Sequence, residues 1–268
     1  MISYLYHTIY SFILGFFEVF PLSGGGLDTL LGALLGSSVP AVGSSWIWGT
    51  LLGTLLVFRH TALNTAKGFF TMVAGACTGK FKWRKANRYQ VMSLYCLLAA
   101  LPLAVMLVIL QHLGLGAGLG VMGLLFLASA ALLFIGDHTL CRETPLTEMT
   151  AVHAVKAALF QAVALVPGFS RTGIGLGTTL NMGFKRQDAF DFAFMLTLPA
   201  LTVLGLWNLS TFAAAGRLTA LFSLVGGALG AALAGWLVRF LFRKDYLNVA
   251  VFCGAAAGIV SIIISFVR

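Results

Sequence analysis

Val163-Ala-Leu-Val-Pro167-Gly-Phe-Ser170-Arg171-Thr172-Gly173 decides how the rest of the chain is read. It sets a full positive charge, two hydroxyls, two glycines and a proline inside sequence otherwise suited to lipid. Arg171 is the only charged residue between Lys156 and Lys185. A guanidinium at membrane depth is expensive, so it faces protein or a watery cavity and has a partner. Its planar fork suits carboxylate or phosphate oxygens. Pro167, Gly168 and Gly173 interrupt a helix and bare backbone N–H groups, which with Ser170 and Thr172 form a cradle for an anion. A structural Arg that pins a broken helix is the plainer reading; an anion site accounts for more of the residues.

The composition around this stretch belongs to a membrane. Of 268 residues, 59% are hydrophobic and 9% charged, with a mean hydropathy of +0.97. That balance excludes an ordinary soluble domain. The net charge of +9 does not point to nucleic acid, because the basic residues crowd between apolar segments, as cytoplasmic loops do. Cys77, Cys96, Cys141 and Cys253 have no metal-type spacing and are expected as free thiols. No basic region precedes the first apolar stretch, so no cleaved signal peptide is expected.

Residues 1–58 hold no Lys or Arg, and their acids are Glu18 and Asp28. Ile2–Phe17 and Thr29–Leu35 flank Phe20-Pro21-Leu22-Ser23-Gly24-Gly25-Gly26. Each piece is short for a crossing, which needs about 20 residues, so a helix that enters, breaks and returns is predicted. Ala151–Met182 repeats that design around Arg171. Full spans are expected at Val39–Val57, twice within Tyr89–Gly136 with a turn near Gln111–Gly118, at Phe192–Gly216, at Leu218–Val238 and at Leu247–Val267. Between them, Arg59–Arg88 carries basic residues and no acid, and part of it, Leu63–Ala76, is expected along the membrane surface. Asp188 and Asp191 suit a helix N-terminus and read as structural.

The expected fold is therefore all-α: six transmembrane helices plus two re-entrant helical hairpins, in one polytopic domain with halves at about 1–136 and 137–268. The basic loops lie inside and both termini outside, so the hairpins enter from opposite faces as an inverted repeat does. Their tips would bring Glu18 to Arg171, each satisfying the other's buried charge. Glu18 can be read as a general acid or base, a metal ligand, or the counter-ion of Arg171. Gly24, Gly25 and Gly26 allow backbone to approach a ligand, or two helices to pack closely. Ser23 and Ser170 are candidate nucleophiles. Gln161, entering the second break, can reach across the site or make a helix contact. One further run, Ala74-Gly-Ala-Cys-Thr-Gly79-Lys80, falls short of a phosphate-binding loop: no Ser or Thr follows Lys80 and no strand precedes it.

At these residues the chain resembles the undecaprenyl-diphosphate phosphatase (bacitracin-resistance) family of bacterial membrane enzymes. Gln161 to Gly173 is similar to the family's Q-x-x-A-L-x-P-G-x-S-R-S-G motif, and Asp191-Phe-Ala-Phe194 to Pro199 to its continuation. The first motif departs. Glu18 and Ser23 match, but Leu14, Gly24 and Leu27 stand where the family has Glu, Ser and His. Gly175 replaces a threonine after the second motif.

The resemblance implies hydrolysis of the C55 lipid diphosphate to the monophosphate at the outer face of the bacterial plasma membrane, aided by a divalent cation, Mg²⁺ or Ca²⁺, that Glu18 would help to hold. It implies recycling of the carrier lipid for peptidoglycan. The expected partners are polyprenyl diphosphate or phosphate and membrane lipids; a homodimer stays open. Because one carboxylate, a hydroxyl and the histidine are gone, a non-catalytic polyprenyl-phosphate binder or translocase is the alternative, with Asp28 a replacement for the histidine if it turns inward. An ion channel fits poorly, since no ring of charges or polar stripe is visible.

Overall fold

The computed structural model describes residues 2–35, 44–113, 118–138, 143–214 and 216–267. Among them the chain is all-α, with no strand beyond a single bridge between Thr144 and Phe184. Its helices are α1 (Ile2–Val19), α2 (Gly24–Leu35), α3 (Ser45–Val57), α4 (Arg59–Cys77), α5 (Arg88–Leu113), α6 (Leu119–His138), α7 (Ala151–Val163), α8 (Arg171–Asn181), α9 (Arg186–Trp207), α10 (Leu209–Ala214), α11 (Arg217–Arg243) and α12 (Asn248–Val267). Among the described residues five are long and apolar enough to cross a membrane: α5, α6, α9, α11 and α12. The protein is thus a multi-pass membrane protein.

Several boundaries differ from the sequence reading, each for a local reason. The glycines of the first break are not in the break: Ser23 caps α2, so Gly24, Gly25 and Gly26 form its first turn. The span expected over Phe192–Gly216 is divided, because α9 ends at Trp207 and α10 begins after Asn208. The Asn208 side chain donates to the Leu204 carbonyl and its own carbonyl accepts from Ser44, which terminates the helix. Arg59–Cys77 is one continuous helix. The expected span Val39–Val57 appears as the 13-residue α3; residues 36–43 lie outside the described part, as do Cys141 and the turn at 114–117. Cys77, Cys96 and Cys253 are free thiols, as expected.

Small residues let the helices approach. α11 lies between α1 and α3; a Cβ on Gly227 would stand 2.4 Å from the Trp46 carbonyl oxygen, so only glycine permits that crossing. Elsewhere α5 packs on both α7 and α9, and α6 runs against α12. Phe58, Phe190, Phe194 and Phe242 stack in the core where α9 and α11 meet the end of α3.

Ion pairs gather the basic ends of the helices. Arg88 at the start of α5 meets Asp188 at 3.1 Å and Asp191 at 2.7 Å, both in the first turns of α9. Arg186 meets Asp137 and Asp245, each at 2.8 Å. These contacts bring the ends of α5, α6, α9 and α11 together, the set of loops that the charge pattern places on one side. Asp188 also accepts the Leu146 N–H at 2.9 Å, so both acids are structural, as their position in sequence suggested.

Candidate functional site between the two breaks

Each break is built by the same local chemistry. α1 ends at Val19 because Pro21 restricts Phe20 to extended backbone and supplies no N–H. The chain turns, and Ser23 restarts it: its Oγ accepts the Gly26 N–H at 3.0 Å and its carbonyl accepts Leu27 N–H at 2.9 Å. Pro167 and Gly168 stop α7 likewise, with Gly168 at φ +106°, a conformation that glycine alone adopts easily. Ser170 then caps α8, its Oγ accepting the Gly173 N–H at 3.0 Å and its carbonyl the Ile174 N–H at 2.8 Å. Two serine caps therefore open two helices, with the same three-residue spacing.

The breaks touch. The Gly168 N–H donates to Ser23 Oγ at 3.3 Å, and the Thr172 hydroxyl donates to the Phe20 carbonyl at 3.2 Å. Between these contacts, Arg171 Nη2 meets Glu18 Oε1 in an ion pair. Glu18 is 2% exposed, and the Arg171 side chain 10%. Gly26 lies against Gly168 so closely that a Cβ there would stand 2.8 Å from the Gly168 nitrogen.

The expected residues therefore converge, with corrections to their parts. Gly26, Gly168 and Gly173 do not offer their N–H groups outward; each donates to a serine of the breaks. Ser170 is 1% exposed and engaged as a cap, with Thr172 Oγ1 3.5 Å away. Gln161 reaches the site through backbone, its Nε2 donating to the Arg171 carbonyl at 3.3 Å. Gly25 is half-buried with open space around it. Asp28 does not replace the missing histidine: it is exposed and accepts the Tyr10 hydroxyl. Ser129 on α6 was not singled out in the sequence, yet its Oγ accepts the Ser170 N–H at 3.0 Å. A lone serine in an apolar span carries little signal.

Two of the departures from the family pattern share a physical form. A Cβ on Gly24 would stand 2.6 Å from Glu18 Oε2, and a Cβ on Gly175 would stand 2.5 Å from Gln161 Nε2. At both positions a polar group of this chain, Glu18 Oε2 or Gln161 Nε2, fills the space that a side chain would take. Leu14, in place of a glutamate, is buried beside Tyr10 with Leu31 and Trp46 packed against them.

Free donors remain. Arg171 Nη1 is buried and has no hydrogen-bond partner among the described residues. The first N–H groups of α2 and α8, on Gly24, Gly25, Arg171 and Thr172, have no acceptor among those residues either, as helix starts leave them. Two helix N-termini and a guanidinium thus present positive potential at one place. Beside it, Leu132, Leu159, Phe160, Val163, Phe169 and Ile174 line an apolar groove of about 400 Å³ between α6, α7 and α8.

For a metal the donors are few. No group of three His, Cys, Asp or Glu side chains converges among the described residues. Glu18 alone can offer a carboxylate. Mg²⁺ is commonly held by one or two carboxylates together with phosphate oxygens, so the donor set fits a cation that arrives with a phosphorylated ligand.

Known proteins resemble this chain over nearly its whole length. The family model described as bacitracin resistance protein BacA matches residues 7–260. A protein of Thermobifida fusca named undecaprenyl-diphosphatase is 26% identical, covering 96% of this chain and 89% of its own length. One of Korarchaeum cryptofilum with the same name is 30% identical over 72% of each chain. One of Myxococcus xanthus, also so named, is 25% identical over 93% of this chain and 85% of its own. With a match that runs nearly from end to end, the chain belongs to the bacitracin resistance protein BacA family.

Proposed function

We propose that this protein hydrolyses undecaprenyl diphosphate to the monophosphate and inorganic phosphate, at the outer face of the bacterial plasma membrane. The observation that carries the reading is the unpartnered, buried Arg171 Nη1 beside two helix N-termini. A buried donor of that kind is rare unless a ligand completes it. A terminal phosphate fits, since its oxygens accept from the guanidinium fork and from backbone N–H groups. The prenyl chain runs in the apolar groove beside Phe169 and Ile174.

In this reading Arg171 and the free N–H groups hold the phosphate and stabilise the charge that builds on it during transfer. Ser23 supplies the attacking oxygen. Its Oγ already accepts N–H groups from both breaks, which favours an alkoxide-like oxygen. A bond forms from Ser23 Oγ to the terminal phosphorus as the bond to the bridging oxygen breaks; the serine proton passes to Glu18, and the lipid monophosphate leaves. Water then releases phosphate from the serine. Glu18 would hold a divalent cation, Mg²⁺ or Ca²⁺, which would offset negative charge on the diphosphate when bound.

The layout we propose is six crossings and two re-entrant hairpins in inverted halves, 1–136 and 137–268. The matching serine caps support it, as does the reciprocal packing of α1 on α11 and α7 on α5. Such repeats place binding sites near the midplane, between broken helices. The product would return the carrier lipid to cell-wall synthesis.

The test is purified protein in sealed vesicles that hold undecaprenyl diphosphate, with phosphate release and lipid sidedness followed together. Release of phosphate is expected. Movement of lipid across the bilayer without release would replace the phosphatase by a translocase.

A further inference from the structure

A second cluster of cationic groups stands apart from the breaks, on the face where the basic residues gather. Lys80, Lys82 and Lys85 line a cleft of about 400 Å³ with Thr71, Phe81 and Gln90, between the end of α4 and the start of α5. The cleft contains the lysine of the run that falls short of a phosphate-binding loop. The geometry explains why that run is no nucleotide cradle. It ends a helix instead of starting one, and its N–H groups are engaged: Thr78 donates to the Ala74 carbonyl, Gly79 to Ala76, and Lys80 and Phe81 both to Gly75.

The uncharged polar groups of the lining are engaged as well. Gln90 Nε2 donates to Thr71 Oγ1 at 3.2 Å, Gln90 Oε1 accepts the Asn87 N–H at 3.0 Å, and the Thr71 hydroxyl donates to the Gly68 carbonyl at 3.0 Å. What remains is three ammonium groups. No ion pair joins any of them to an acid among the described residues, and no Asp or Glu occurs from Arg59 to Arg88. Ammonium groups recognise phosphate as point charges, without the fixed fork of arginine.

A separate observation favours a position for this cleft at the membrane surface. α4 turns large apolar side chains outward, Leu63 at 58%, Phe70 at 69% and Val73 at 40% exposure, with Trp83 at 43% beside the lysines. Exposed apolar residues on a helix that also carries Lys67, with the exposed Trp83 in the turn that follows it, suit a helix lying in the headgroup layer. In that position a headgroup phosphate would lie at the level of Lys80, Lys82 and Lys85.

We propose that this trilysine cleft binds the phosphate headgroup of an anionic membrane lipid and anchors α4 to the leaflet on the basic side. The full-length protein in detergent is titrated with short-chain phosphatidic acid, with phosphatidylcholine and inorganic phosphate as parallel ligands, and bound lipid is read by native mass spectrometry. Near a membrane surface each lysine contributes roughly fivefold, so K80Q/K82Q/K85Q should weaken phosphatidic acid binding about a hundredfold. The charge-matched K156Q/R243Q/K244Q should weaken it by less than about threefold, those residues being exposed and outside the cleft. Equal loss in both triple variants, or none in the first, would overturn the proposal. Displacement of the lipid by inorganic phosphate at the lipid's own concentration would overturn the lipid assignment and leave a site for free phosphate.

Discussion

Arg171 opens the helix after the second break, and Glu18 closes the helix before the first; the two meet as a buried ion pair that joins the halves of the chain. Neither charge has another ionic partner among the described residues. Removing one leaves the other buried alone, which typically destabilises by about 3 kcal/mol or more. Glu18→Gln should therefore lower the midpoint of thermal unfolding in detergent. The double variant Glu18→Gln/Arg171→Gln should lose less than the sum of the two single changes, because the pair is coupled. Strict additivity in that cycle would show that the two side chains act independently.

The two serine caps should separate in function. Ser170→Ala removes the cap of α8 and should reduce stability by about 1 kcal/mol while hydrolysis persists. Ser23→Ala removes a comparable cap and also the proposed attacking oxygen, so phosphate release should fall to background. If the two substitutions reduce turnover equally, Ser23 is not the nucleophile.

Restoring the family residue at position 24 should not restore a better site. The side chain of Gly24→Ser would enter the space of Glu18 Oε2, which the Arg171 pair holds in place. Displacing catalytic groups by about 1 Å can reduce rates up to about a hundredfold, so a loss in kcat of that order is expected. An increase in kcat would mean that the glutamate moves freely.

Neighbouring glycines of the same turn should respond differently to a methyl group. A Cβ on Gly26 meets the Gly168 nitrogen and the Phe126 ring, each at 2.8 Å, whereas nothing lies within 4 Å of one on Gly25. Gly26→Ala should destabilise by roughly 1–3 kcal/mol through overpacking. Gly25→Ala should leave thermal stability unchanged or raise it by up to about 1 kcal/mol, since alanine favours the helix. Similar melting shifts for both would contradict the contact between the breaks.

Much of this site was legible because membrane sequence makes charge conspicuous. Arg171 and Glu18 stand out among apolar residues, and each needs a partner, which leads one to the other. Pro21, Pro167 and Gly168 mark the breaks for reasons of backbone geometry alone. What could not be read is what depends on contact across the fold. Whether Gly24, Gly25 and Gly26 sit in the break or in a helix turns on one hydrogen bond from Gly26 to Ser23. Ser129 becomes part of the site only because α6 passes behind Ser170. The end of α9 at Trp207 is set with Ser44, 164 positions away, bonded to Asn208. Asp28 looked available for catalysis, yet its carboxylate is taken up by the Tyr10 hydroxyl.

The most direct measurement is phosphate release from undecaprenyl diphosphate by purified protein with Mg²⁺ or Ca²⁺, alongside Glu18→Gln and Arg171→Ala. The account predicts release by the unaltered protein, a fall of roughly 10²–10⁴-fold for Glu18→Gln as a proton acceptor is lost, and none detectable for Arg171→Ala. Release that survives Arg171→Ala at the original rate would contradict an anion site built between the two breaks.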